Sequence, residues 1–134
     1  MKRPLPVALA LVATLGSAAA GCLGGGRSPV RAVHELSEAA REGDTARVMR
    51  LIGPRTRMRL AADARRAGEQ AGRRTIAPSE LLAAGWTPPR YELAEVRELS
   101  RSGDVAQVAI EGRHGEHERV EVVREGALWK VELP

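Results

Sequence analysis

At Pro88 and Pro89 the spacing of apolar residues along the chain changes its period. Before the pair, apolar positions recur near every 3.6 residues; after it, they alternate with polar ones. The first pattern makes a stripe on a helix, and the second makes one dry face on a strand. Helices first and strands afterwards predict an α+β domain, with N-terminal helices packed on one face of a curved antiparallel four-stranded sheet.

The helical half carries its own punctuation. "SPVRAVHELSEAAREGD" offers Ser28 as an N-cap, with Pro29 just inside the helix start. Val30, Val33, Ser37 and Ala40 share a face, Leu36 lies beside them, and Gly43 is placed to end the helix. Asp44 can cap a second helix whose Val48, Leu51 and Ile52 point inward, until Gly53 and Pro54 break it. A third, arginine-rich helix is predicted over roughly 55–72, with a weak apolar side of Met58, Ala61 and Ala62, joined by Leu60, Ala64 and Ala67. A short helical turn follows, capped by Ser79 and closed by Gly85.

Beyond Pro89, strands are predicted over 91–99, 105–111, 119–124 and 128–133, separated by "SRSGD", "GRHGEHE" and "EG". In the last run Trp129, Val131 and Leu133 alternate with Lys130 and Glu132. That places Trp129 on the dry face, near Val33 or Leu51, and Lys130 and Glu132 in water.

The first twenty residues follow a different logic. Lys2 and Arg3 precede an uncharged apolar run over 5–20, short of the ~20 residues that span a hydrocarbon core. A positive start, a short apolar stretch and small residues at its end describe a secretory signal peptide over 1–21. "AAGC", at Ala19 to Cys22, resembles the bacterial lipobox, in which small residues precede a lipid-bearing cysteine. Cys22 is the only cysteine of the chain and is the expected lipidation site. A lipidated sulfur has no thiol left to oxidise; the alternative is an ordinary signal peptide with Cys22 as a free thiol in an oxidising compartment. Residues 22–29 then read as a flexible tether and 30–134 as one domain. Export and membrane anchoring follow, on the periplasmic side, and Leu23 after the cysteine leans toward the outer membrane.

Charge is unevenly spread. Residues 47–74 hold Arg47, Arg50, Arg55, Arg57, Arg59, Arg65, Arg66, Arg73 and Arg74 against Asp63 and Glu69. Such a stripe reads first as a solvated helical face; the alternative is contact with anionic lipid or an envelope protein. Nucleic acid is not expected, because the chain has one tyrosine and no phenylalanine to stack on bases.

"EGDTARVMRLIGPRTRMRL", "SGDVAQVAIEG" and the late "LWKVEL" together resemble the nuclear transport factor 2-like superfamily, and within it the small bacterial lipoproteins that carry a domain of unknown function. The resemblance covers residues 29–134 and implies a cone: helices laid in the concave face of a curved sheet, often around a pocket. Family enzymes such as ketosteroid isomerases use a pocket acid and a tyrosine, a pair that cannot be assigned residue by residue here. His114 and His117 in "HGEH" are too few to make a zinc site and read as turn residues. His34 reads as a hydrogen-bonded helix residue, Tyr91 as a strand-edge residue, and Trp86 as a core or rim aromatic. The expectation is a membrane-anchored, non-enzymatic lipoprotein used for binding or assembly, without cofactor or metal. An apolar ligand in the cone is the alternative, and an isomerase-like enzyme the third.

Overall fold

The computed structural model describes residues 26–83 and 91–134. Helix α1 spans Pro29–Glu42 and starts as its residues dictate: the Ser28 hydroxyl accepts from the Arg31 amide at 3.2 Å, and proline occupies the first turn. It stops at Gly43, whose φ of 71° lets the chain turn left-handed while its N–H returns to the end of the helix. Asp44 immediately caps α2, Thr45–Leu51, through the Arg47 amide at 2.9 Å. Helix α3, Pro54–Gln70, follows after two residues, and α4, Pro78–Ala83, packs on α2 and α3. Ser79 lies inside α4 instead of capping it; the Ala77 amide is met by Glu80 Oε1 at 3.3 Å.

The strands are β1 (Leu93–Ser102), β2 (Val105–Gly112), β3 (His117–Glu125) and β4 (Leu128–Glu132). They form one antiparallel sheet in sequence order, curved and unclosed, so the predicted α+β class stands. Register places Val108 opposite Val120, and sets Val122 between Ala106 and Val131, giving adjacent apolar rows on the inner face. Onto it α1 lays Ala32, Val33, Leu36, Ala39 and Ala40, while α2 adds Val48 and Leu51. Trp129 is 4% exposed and belongs to the same buried cluster as Val33 and Leu51, as its alternation predicts. Arg101 on β1 sets its guanidinium carbon 5.0 Å from the Trp129 ring centre. In a flat sheet the backbones of β1 and β4 would lie about 14 Å apart. Two bulges in β1, at Leu93/Glu95 and Glu98/Ser100, help that strand bend inward.

Three expectations need correction. The buried stripe of α3 is Thr56, Leu60, Ala64 and Gly68, whereas Met58 is 75% exposed. The i, i+4 spacing runs through a threonine and a glycine, which an apolar count passes over. Glu132, expected in water, is 3% exposed. The reason is that α3 starts over the outer side of β4 and covers it. The fold also begins before residue 30: Gly26, expected in the tether, exchanges both backbone hydrogen bonds with Trp129, at 2.8 and 3.2 Å.

Candidate functional site

The interior of the cone is the first place to seek a site. Between α1 and the sheet lies a space of about 10 Å³, lined by Val33, Leu36, Ser37, Leu93, Ile110, Val120, Val131 and Leu133. That is about one water-sized sphere, while ligand pockets run to roughly 300–1,000 Å³. Apolar side chains fill this part of the cone, and Ser37, the polar group in the lining, is 6% exposed on α1.

At the end of the sheet where β2 meets β3, Tyr91 donates its hydroxyl to Glu118 Oε2 at 2.8 Å. Glu118 stands opposite Ile110 in register, next to the inner face. Burial, and then the bond to Glu118, push the Tyr91 hydroxyl far above its ordinary pKa, so it stays protonated and donates. An acid and a tyrosine thus meet, across 27 positions of sequence that no local pattern spans. Each occupies the other, which makes the pair a clasp between the start of β1 and β3.

Beside the clasp, an open groove of about 400 Å³ runs between α1 and the start of β1, lined by Arg31, His34, Glu35, Glu38, Arg41 and Glu92 among others. Its charges alternate in sign, and Arg31 is paired to Glu35 at 3.0 Å. His34 is exposed, and among the described residues no side chain orients its ring as a general base requires. His114 and His117 sit at the β2–β3 turn, the latter with Nδ1 3.8 Å from Glu111 Oε1. Glu116, held below the usual carboxylate range by backbone amides including that of His114, ties this turn together. Among the described residues, no group of three or more His, Cys, Asp or Glu side chains could hold a metal.

The most densely bonded polar cluster is one that residue-by-residue reading passed over. Glu132 accepts from the Arg55 amide at 3.1 Å, the Thr56 amide at 2.7 Å and the Thr56 hydroxyl at 2.6 Å. The Thr56 oxygen in turn accepts from the Leu133 amide at 2.8 Å. Gly53, the N-cap of α3, has no side chain to satisfy those amides, so Glu132 caps the helix from another element. A Cβ at Gly53 would sit 2.3 Å from Glu132 Oε1, so glycine there makes room for the carboxylate. An uncapped glycine before Pro54 was the sequence signal that an acceptor must come from elsewhere. The arrangement locks two elements; it has no free group to do chemistry.

The arginine stripe is largely engaged. Arg47 pairs with Glu38 and Glu42, Arg55 with Glu121, Arg57 with Glu125, Arg66 with Asp63 and Arg74 with Glu80. Arg59 donates to the Leu133 carbonyl at 3.1 Å. Arg50, Arg65 and Arg73 remain without a carboxylate among the described residues. Cys22 and Trp86 lie outside the described residues. Among those described, no helix is long and apolar enough to cross a membrane. No family model, curated protein or solved structure matches the chain.

Proposed function

We propose that this chain is an exported lipoprotein, anchored through a lipid on Cys22, whose nuclear transport factor 2-like domain serves as a non-enzymatic binding or assembly module at the cell envelope. The observation that supports the non-enzymatic part is the tight contact between α1 and the sheet, where a space of about 10 Å³ is lined by apolar side chains. An apolar ligand at that place would have to displace α1. Binding is then assigned to surfaces, of which the α1–β1 groove is the best formed, and an envelope protein with mixed charge suits its alternating Arg and Glu side chains. Anionic lipid contact through residues 47–74 rests on Arg50, Arg65 and Arg73, since most of the stripe is already paired within the fold.

The anchor is tested by intact mass of the protein extracted from membranes. The expected N-terminus is Cys22 with its acyl chains, and Cys22→Ser is expected to leave the precursor unprocessed. An unmodified cysteine in the mature wild-type chain overturns the anchor. A partner recovered with the wild type and lost with Arg41→Glu and Glu92→Arg in the groove supports the binding module; turnover of a small molecule by the pure domain overturns the non-enzymatic reading.

A further inference from the structure

The outward face of α3 carries an apolar side chain among cations. Arg55, Met58, Ala62 and Arg65 recur at i, i+3, i+7 and i+10, so they share one side of the helix, away from the buried Thr56, Leu60 and Ala64. Met58 is 75% exposed, more than any other large apolar side chain among the described residues. Arg55 and Arg65 flank it, about one and two turns away. Arg55 reaches Glu121 at 3.3 Å yet keeps its side chain 68% exposed. Arg65 is exposed and has no carboxylate partner among the described residues. Past the helix end, Arg73 is exposed and unpaired in the same way. Its φ of 64° lies in the left-handed region that favours glycine, so what arginine adds there is its guanidinium and not the turn. Glu69, between Arg65 and Arg73, is the acid that dilutes this charge.

We infer that the outward face of α3 rests on anionic phospholipid, with Met58 seated at the boundary of headgroups and acyl chains and Arg55, Arg65 and Arg73 on phosphates. The inference rests on the proposed lipid at Cys22 and on the reading of the arginine stripe as a lipid contact. A guanidinium has five N–H donors, so Arg55 retains several beside its bond to Glu121. One methionine and one alanine bury too little to hold a domain on a bilayer alone. A tethered domain needs only such a weak contact, because the anchor supplies a high effective concentration. The start of α3 also lies beside the place where the N-terminal segment joins the fold. Gly26 pairs with Trp129, and Ile52, two residues before α3, pairs with Val131 on the same edge of β4. That proximity holds whichever way residues 23–25 run. An acidic protein would match the guanidiniums; a bilayer matches them and the apolar tip between them.

The test uses the full chain purified from membranes, with the lipid on Cys22 verified by mass, in phosphatidylethanolamine–phosphatidylglycerol vesicles that carry a quencher at the top of the acyl chains. A fluorophore on Met58→Cys is expected to be quenched several-fold more than one on Glu95→Cys, in the strand at the opposite edge of the sheet. Arg65→Gln with Arg73→Gln, or high salt, is expected to bring position 58 down toward the level of position 95. Equal quenching at the two positions on a lipidated chain overturns the α3 contact and leaves the anchor standing. A difference that ignores both the lost charges and the salt overturns the role of the arginines. A response at position 58 to polyglutamate but not to anionic vesicles assigns the face to an acidic protein and overturns the lipid contact. A chain without lipid on Cys22 overturns the anchor, and the inference with it.

Discussion

The two edges of the sheet are protected in opposite ways. Along β4, Gly26 takes both backbone groups of Trp129, Gly53 donates to the Val131 carbonyl at 2.8 Å, and Thr56 and Arg59 take the amide and carbonyl of Leu133. Along β1, no described residue pairs with the outer edge; two bulges interrupt the ladder and Glu95, Arg97, Glu98 and Arg101 stud it with charge. Both devices keep a strand from recruiting another chain. Covering an edge, however, couples it to stability, whereas bulges and charges do not. The β4 edge is where the chain crosses from α2 to α3 and where the N-terminal segment arrives, so three parts of the sequence depend on it. The β1 edge can change with little effect on folding.

Substitutions should therefore cost much at β4 and little at β1. The largest effect is expected from Trp129→Ala, which removes a ring 4% exposed, and such truncations cost about 3–5 kcal/mol. Against a typical domain stability of about 5–15 kcal/mol, the thermal midpoint of the chain should fall steeply. A midpoint within about a degree of wild type would mean that the ring is not packed. Next comes Glu132→Gln, which keeps the shape but turns an N–H₂ toward donors on Thr56. A cost of about 1–3 kcal/mol is expected in urea unfolding, and an unchanged midpoint concentration would show that α3 needs no cap from β4.

Smaller still is the contribution of Glu125. Hydrogen bonds from Arg57 and Lys130 hold its pKa in the folded state below the ordinary 4.5. A lowered folded value means stability that is present above the unfolded pKa and lost as pH falls through the folded one. The group is partly exposed, so about 1 kcal/mol or less is expected. The stability gap between wild type and Glu125→Gln should be open at neutral pH and close in acid; a gap that persists in acid contradicts the pairing. The smallest effect belongs to β1: Glu95→Ala should shift stability by no more than about 0.5 kcal/mol. A larger loss would mean that this edge is coupled to the core after all.

What could be read from the residues divides along the same line. The caps at Ser28 and Asp44, the stop at Gly43 and the alternation that buries Trp129 and Val131 are local, and a sequence states local rules directly. On α3 the expected Leu60 and Ala64 are buried and Met58 is not: Met58 outweighs Thr56 in apolar character, yet the threonine hydroxyl finds Glu132 and Leu133 and so can be buried. Glu132 and Lys130 occupy the wet parity of β4, but α3 and Glu125 reach over that side. Those contacts join residues 76 or 77 positions apart, and no periodicity reports them. The Tyr91–Glu118 clasp was hidden for the same reason.

Amide hydrogen exchange on the folded chain compares the two edges directly. The amides of Trp129 and Leu133, and of Thr56 under Glu132, should exchange only when the domain opens as a whole, at rates close to those of Val108 and Val122 in the centre of the sheet. The amides of β1 that face away from β2 should exchange orders of magnitude faster. Slow exchange along the outer side of β1, or fast exchange at Trp129 and Leu133, would contradict the account of a covered β4 edge and an open β1 edge.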